Sequence, residues 1–577
     1  MGIPVFIIEV SKTKEGYMSD MIEMNKPLEC DVLVAGGGVA GLMAAIAAAE
    51  EGAKVIVAEK ANSKRSGSGA TGNDHFLCYI PAVHGDDPSE FIREMEESQI
   101  GGNNDMDLVR RYVAESFNRV KDWDSWGVGM REHGDWEFNG HAKPGHLRVW
   151  LKYAGREQKP IFTREAIKRG VTILNHHPFA DVITDGHNRV AGGICIDITG
   201  EVPKMQVIRA KSVVLATGSV NRLFGSKTMG WMFNNAGCPS DVCTGRAAAY
   251  RAGARLVNLD RTGTGAGCKY FNRGGKATWL GVYSDISGKP LGPFVTKPSK
   301  EYGDLAGDIW HDMFSIKRSQ GEPVFMNCSE CTDEQLDYML WGLSNEGNVG
   351  TLDHLASEGF DFRKHMVEFD CKDGGNIGGG IDISVDAQCT VDGLFAAGDE
   401  TGNFRADMGG AATYGHIAGV SAACYSRGQT LIPAEEMEIV TARAHHYSEI
   451  ISRDTDTATP DWREINVAIQ QVMTDYCGPE VRSEHILTTG LSHLKRLQAK
   501  AATVHCADSH EFMRCLEAED LALLGELAFV SALERKETRG KHNRVDYPFT
   551  NPLLNNKFVT VEKVNGVPST GWRDKHK

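Results

Sequence analysis

Residues 31–59 constrain this chain more than any other stretch. An apolar run, Val32 to Ala35, meets three consecutive glycines, and an Ala-rich segment, Leu42 to Ala49, leads through Gly52 to a second apolar run, Lys54 to Ala58, that ends in Glu59. The order is strand, turn, helix, strand. Gly36-Gly37-Gly38-Val39-Ala40-Gly41 fits G-x-G-x-x-G, and it follows a strand and opens a helix as that motif requires. Gly36 permits the tight turn, Gly38 lets the backbone approach a pyrophosphate, and Gly41 lets helix and strand pack closely. Free N–H groups and the positive end of the helix dipole then stabilise phosphate charge. Glu59, 18 positions after Gly41, is placed to accept from an adenosine ribose hydroxyl. Together these residues read as a dinucleotide-binding unit.

Two later segments bear on which dinucleotide. Val213 to Gly218 is an apolar strand ending in Ala216-Thr217-Gly218, and Thr390 to Asp399 is another ending in Gly398-Asp399. They resemble the second and third signatures of flavoproteins with two dinucleotide-binding domains, which points to FAD. Glycine, at 64 of 577 residues, is enriched to match.

Composition excludes other classes. With 62 basic and 77 acidic residues the formal net charge is −15, so no global basic field favours nucleic acid or anionic lipid. Fourteen cysteines without repeated spacing read as reduced thiols rather than a disulfide framework. The apolar run Ile3 to Ile8 lacks a basic leader, and the uncharged stretch Val32 to Ala49 is broken by its glycines, so neither a signal peptide nor a transmembrane segment is expected. A soluble, cytoplasmic protein follows as the expectation.

The fold class expected is α/β: a Rossmann-like FAD domain, an inserted capping domain and a C-terminal helical domain. Residues 1–27 form an N-terminal extension with a candidate edge strand at Val5 to Val10. The FAD domain takes 28–255 and, after an insertion at 256–365, resumes over 366–430. The helical domain covers 431–547, with breaks near Pro460 and Gly478-Pro479, and a polar tail covers 548–577. Apolar spacing predicts a helix over 105–123 capped by Asn104 or Asp105. Three β-rich runs between Phe179 and Leu215 predict a meander, and Val385 to Gly398 predicts a return to strand.

The most specific stretch lies near the end. Ala532-Leu533-Glu534-Arg535-Lys536-Glu537-Thr538-Arg539-Gly540-Lys541-His542-Asn543-Arg544-Val545-Asp546-Tyr547-Pro548 matches A-L-x-R-x-E-S-R-G-x-H-x-R-x-D-Y-P with Thr538 for Ser. On these residues, with the three cofactor segments, the chain resembles the succinate dehydrogenase/fumarate reductase flavoprotein family, which includes L-aspartate oxidase and the alpha subunit of adenylylsulfate reductase. The resemblance covers roughly 28–550. It implies cofactor contacts at Gly36, Gly37, Gly38, Ala40, Gly41, Glu59 and Lys60. Further contacts are implied at a flavin-ring loop holding Arg65, Ser66, Gly67 and Gly72, at Ala216, Thr217 and Gly218, and at Gly398, Asp399, Gly409, Gly410 and Ala411. Arg539, His542 and Arg544 are read as holding the helical domain against the FAD domain.

Departures from the family pattern matter for chemistry. Respiratory members attach FAD through the His of R-S-H-T, and Arg65-Ser66-Gly67-Ser68 puts Gly67 there, so non-covalent FAD is expected. Dicarboxylate members carry H-x-x-x-G-G, and Gly375 falls where that His would stand. Arg405, near the family's His-Ala-Asn-Arg-Leu-Gly motif, is the carboxylate-binding candidate, two residues out of register. Arg273 is the candidate proton donor of the inserted domain, with a solvated loop arginine as the alternative. His75, directly after Asn73 and Asp74, can serve as acid or base near neutral pH. His416 is read as packed. Cys328-Ser329-Glu330-Cys331 is a lone C-x-x-C before a helix; one pair holds neither a cluster nor tetrahedral zinc, so structural thiols and a redox dithiol stay open.

No metal site is expected. The function implied is transfer of a hydride or electron pair between FAD and a small anionic substrate, with electrons passing through a separate partner, an iron–sulfur or other electron-transfer subunit. Two alternatives stand beside it: an adenylylsulfate-reductase-like alpha subunit with a sulfur substrate, and a subunit whose FAD only relays electrons.

Overall fold

Val32, Leu33, Val34 and Ala35 have no solvent exposure, and a seven-stranded sheet is built around them. The computed structural model describes residues 21–97, 104–131, 133–138, 146–225, 237–269, 278–293, 295–299, 313–373, 378–453, 459–478 and 481–576. Strand β1 (Leu28–Ala35), helix α1 (Val39–Glu50) and strand β2 (Val55–Glu59) form the opening unit, with β1 and β2 parallel. After β3 (His75–Leu77), α2 (Met106–Trp126), β4 (Trp150–Lys152) and α3 (Gln158–Lys168) come β5 (Thr172–Asn175), β6 (Phe179–Thr184), β7 (Val190–Asp197) and β8 (Lys204–Leu215). The sheet order is β5-β2-β1-β8-β7-β6, and β6, β7 and β8 are the antiparallel meander the sequence predicts. Helix α4 (Thr244–Arg251) and the short β9 (Leu256–Val257) close this part.

The insertion carries its own antiparallel sheet and its own core. Strands β10 (Thr264–Cys268), β11 (Val282–Ser284) and β12 (Val324–Asn327), helix α5 (Asp333–Asn345) and strand β13 (Val367–Asp373) surround Trp279, Tyr283, Phe314, Met326 and Phe369. Here the expected boundary at 365 is corrected. Strand β13 pairs with β10 and β12 in the order β10-β13-β12-β11, so the insertion runs through Asp373. The alternation Val367, Phe369, Cys371 is the period-2 pattern of a strand with one buried face.

The chain then returns through β14 (Gly380–Ile381) and β15 (Leu394–Ala396), which lies parallel beside β8, into α6 (Asp407–Ser426). Of the run Val385 to Gly398, only Leu394–Ala396 is strand among the described residues. Helix α6 crosses α1 closely: a Cβ at Gly415 or Gly419 would collide with the carbonyl oxygens of Ala40 and Ala44. The C-terminal helices are α7 (Glu438–Ser452), α8 (Trp462–Cys477), α9 (Glu484–Ala501) and α10 (Ser509–Glu534), with a further break at 502–508 beyond the two the sequence predicts. Asp508 explains it, because its side chain caps α10 by accepting from Glu511 N–H.

The tail is not a polar appendage. Residues 557–574 form a hairpin, β16 (Lys557–Val564) and β17 (Val567–Asp574), turned at Asn565-Gly566 where both φ values are positive. Strand β16 pairs with β9 and buries Phe558, Val559 and Val561. Arg573 of β17 reaches Asp105 and Asp382, each at 2.6 Å. Asp105 does hold the N-cap position of α2, but its carboxylate serves Arg573 and Asn403 instead of capping. The extension 1–27 is described only from Met21, with Met24 bridged to Met205; Val5 to Val10 lies outside the described residues. Among the described residues no helix is long and apolar enough to cross a membrane.

Candidate active site

The C-terminal ends of β1, β8 and β15 open onto one cavity of about 510 Å³, where parallel α/β sheets place their ligands. Gly36, Gly38 and Ala40 of the glycine turn line it, with Glu59 and Lys60, the loop residues Arg65, Ser66, Gly67 and Gly72, then Ala216, Thr217, Gly218, Gly398, Asp399 and Ala411. His75 and Arg405 stand in the same wall. Arg273 and Gly375 lie outside the described residues.

Four expected contact residues sit behind the wall instead. Gly41 is fixed by packing, because a Cβ there would strike the Gly36 carbonyl oxygen. Gly37 N–H donates to Glu59 Oε2 at 2.6 Å. Gly409 packs under the Tyr112 hydroxyl and Gly410 against Ala406, in the first turn of α6, so both support the wall from within the helix. His416 also lies away from the cavity; burial, with Arg119 and Arg111, pushes its imidazole down to about 4.

Residues far apart in sequence complete the wall. Buried Lys159 of α3 donates to the Gly37 carbonyl beneath the turn; burial pulls its ammonium down to about 8 against the opposing pull of Glu59 and Asp241. Asp241 accepts from Ser68 Oγ at 2.8 Å, and burial pushes its carboxyl up to about 7. Lys60 donates to the Ser240 carbonyl and pairs with Glu517 of α10 at 2.8 Å. Burial works against the charge of Glu517, but Lys60, Arg222 and Arg514 hold its carboxyl well below the usual range. Thr217 donates its N–H and its hydroxyl to Glu400, each at 2.6 Å, tying the ends of the two cofactor strands together.

At the other end the titratable groups gather. His75 Nδ1 lies 2.5 Å from Asp74 Oδ1, and its ring meets the Trp150 edge with centroids 5.0 Å apart. Burial disfavours the imidazolium, yet Asp74, with Glu346 and Asp407 beyond it, outweighs burial and raises His75 to about 9. Asp74 also accepts from Thr278, and Gly342 of α5 lets it approach the insertion, since a Cβ there would lie 3.0 Å from its carboxylate. Glu346, one residue past α5, lines the cavity. Arg405 donates Nε and Nη2 to Asp407 Oδ1 at 2.9 and 2.6 Å. Asp74, His75 and Glu346 also satisfy the spacing for a cation, but the Asp74–His75 hydrogen bond already accounts for two of the three.

The residues present fit FAD. The turn admits no side chain at Gly36, where a Cβ would strike the Ala216 carbonyl oxygen, and buried Ser66 Oγ lies at the cavity without a hydrogen-bond partner among the described residues. Both Glu59 oxygens accept backbone N–H bonds, from Gly37 and from Ala61 at 2.7 Å, which fixes the carboxylate where the ribose is expected.

The tail signature is structural in its contacts. Buried Arg535 pairs with Asp260 at 2.6 Å and Glu537 at 2.8 Å. Arg544 Nη1 donates to the Ala532 carbonyl at the end of α10, and His542 sits between the Arg535 carbonyl and Arg482. Arg539 pairs with Glu537 at 2.8 Å.

Comparison with known proteins agrees with this geometry. The family model of the FAD binding domain matches residues 31–415, and that of the fumarate reductase flavoprotein C-terminus matches 466–565. A fumarate reductase (CoM/CoB) subunit of Methanothermobacter marburgensis is 24% identical over 92% of this chain and 98% of its own. L-aspartate oxidase of Streptomyces coelicolor is 25% identical over 90% and 89%. The solved adenylylsulfate reductase of Archaeoglobus fulgidus superposes with a TM-score of 0.80 at 20% identity, over 97% of this chain and 98% of that one. The chain therefore belongs to the fumarate reductase/succinate dehydrogenase flavoprotein family and is an FAD-dependent oxidoreductase.

Proposed function

We propose that the chain is the catalytic flavoprotein subunit of an oxidoreductase, moving a hydride or electron pair between non-covalent FAD and a small anionic substrate. The observation that carries this reading is His75, hydrogen-bonded to Asp74, in one cavity wall with the glycine loop Arg65 to Gly72 and Arg405. FAD, when bound, supplies two-electron transfer. His75, protonated at neutral pH and oriented by Asp74 through Nδ1, attracts an anion and holds a transferable proton. Arg405, steadied by Asp407, offers a second cation for a carboxylate or other oxyanion. Gly67 provides no nucleophile for covalent attachment, and Arg273 remains the proposed donor from the insertion.

Electrons taken up or released need a second acceptor or donor. The relatives include proteins named as subunits, which supports an iron–sulfur or other electron-transfer partner. A sulfur substrate, as in adenylylsulfate reductase, is the second reading; Gly67, where respiratory members keep the flavin-linking histidine, and Gly375, where dicarboxylate members keep a carboxylate-binding one, both allow it.

The test follows anaerobic reoxidation of reduced holoprotein by fumarate, other enoates and adenylylsulfate. Reoxidation by an enoate supports the first reading, and release of AMP and sulfite from adenylylsulfate the second. Reoxidation only by protein or dye acceptors, unchanged in Arg405→Ala and His75→Asn, would overturn both in favour of a relay.

A further inference from the structure

The inserted domain holds a thiol pair that the flavin chemistry does not use. Cys328 and Cys331 close the connection between β12 and α5, and they are only 1% and 2% exposed. The Cys331 N–H donates to the Cys328 carbonyl at 3.0 Å, the bond of a four-residue turn. Such a turn brings its first and fourth Cα atoms within about 7 Å, and disulfides span about 4.4–6.8 Å between Cα atoms. The two residues between them, Ser329 and Glu330, are exposed, so the thiols lie one layer beneath a surface turn.

The environment differentiates the two sulfurs. Cys331 directly precedes Thr332, which caps α5 in a reciprocal capping box with Gln335, so the residue sits just ahead of the positive end of a thirteen-residue helix. Arg363 adds a cation, donating Nη1 to the Cys331 carbonyl at 2.6 Å and pairing with Asp333 at 2.5 Å. The Cys331 thiol faces the Leu280 carbonyl at 3.9 Å and the Cys328 thiol faces Met339 Sδ at 4.0 Å. The neighbouring Cys328 lowers the Cys331 thiol against the opposing pull of burial, with Arg363 adding to the lowering, while Cys331 and burial push Cys328 up. One sulfur is poised as nucleophile and its neighbour as resolving thiol. A metal does not fit, because among the described residues no third His, Cys, Asp or Glu ligand atom joins the pair within 4.8 Å. About 20 Å of helix, at 1.5 Å per residue, separates the pair from Glu346 at the cavity.

We propose that Cys328 and Cys331 are a second redox site, a reversible dithiol/disulfide that takes a small hydroperoxide as its oxidant. Cys331 thiolate attacks one peroxide oxygen, the O–O bond breaks, and the leaving hydroxide takes a proton to become water. Cys328 sulfur then attacks the sulfenic sulfur of Cys331, the S–O bond breaks, and the departing hydroxide takes the Cys328 proton. The balance is two thiols and one hydrogen peroxide to one disulfide and two waters. A hydroperoxide is small enough to reach thiols beneath a single turn.

The sequence supplies a clean assay. After Arg318 the next lysine or arginine is Arg363, so the tryptic peptide 319–363 contains these two cysteines and no other. Holoprotein is treated with limiting hydrogen peroxide, denatured in an alkylating reagent, digested and weighed. The expected result is a peptide lighter by two hydrogens and lacking both alkyl groups, restored by dithiothreitol. It should form roughly tenfold faster than exposed Cys424 is oxidised, given the lower Cys331 pKa. In Cys328→Ser, Cys331 should instead carry a sulfenic acid that dimedone captures. Both cysteines remaining alkylatable while Cys424 oxidises would overturn the proposal, as would irreversible oxidation of either without a disulfide in the wild type. The wild-type measurement stands even where a variant fails to fold.

Discussion

Replacing Asp74 with asparagine isolates the group that makes His75 a cation. The gap between about 9 and the ordinary 6.5 corresponds to ~3 kcal/mol favouring the protonated form. Burial moves the imidazole the other way, so with the Asp74 charge gone and only Glu346 and Asp407 left to oppose burial, it should titrate well below 9. At pH 7.5 wild-type His75 is protonated by about thirty to one, and in Asp74→Asn that ratio should fall by roughly tenfold or more. The same linkage has a sign in stability. A pKa raised on folding stabilises the fold fully below 6.5 and loses that contribution as the pH rises through 9. The variant should thus be destabilised most near pH 6 and least above pH 9. Carbon-13 labelling of the twenty histidines, with the His75 signal assigned by its loss in His75→Asn, reads the titration directly. A His75 resonance titrating near 6.5 in the wild type, or still near 9 in Asp74→Asn, would show that Asp74 is not what holds the proton.

Other expectations rest on single packing or charge features. Gly41→Ala forces a methyl into the Gly36 carbonyl and should yield chain with little bound flavin, read from the visible-to-280 nm absorbance ratio. Lys159→Met should weaken FAD binding roughly tenfold, ~1.4 kcal/mol, at pH 7, measured by flavin fluorescence titration. That difference should shrink above pH 8, where the wild-type ammonium itself deprotonates. Arg535→Met leaves Asp260 and Glu537 buried without their shared cation, at a cost of about 3–5 kcal/mol; urea unfolding followed at the C-terminal helices reads the loss.

The backbone devices are legible in the sequence because they are local. Three glycines between an apolar run and an Ala-rich run can serve few purposes, and Asp74 beside His75 is a plain adjacency. Lys159, Asp241 and Glu517 are not legible. Lys159 reaches a carbonyl 122 positions away, and Lys60 meets Glu517 across 457, separations that no periodicity reports. Gly37, Gly41, Gly409 and Gly410 stand one layer behind the cavity wall where the motifs put them, because a glycine required by packing and one required by a ligand look alike in sequence. The tail reads as polar because Lys557, Glu562 and Lys563 mask the alternation of Val559 and Val561, although Asn565-Gly566 marks the hairpin turn. The insertion boundary hides for a related reason: Phe369 of β13 lies opposite Val324 and Cys268, which precede it by 45 and 101 residues.

Whether the cavity is built for FAD and holds it without a covalent bond is decided by one assay. Holoprotein is purified in the dark and precipitated with acid, and the flavin in each fraction is measured by chromatography. One FAD per chain in the supernatant and none in the pellet is the expected result. Flavin that stays with the precipitated chain would contradict the assignment of Gly67, and a purified chain that neither carries nor takes up FAD would contradict the cavity itself.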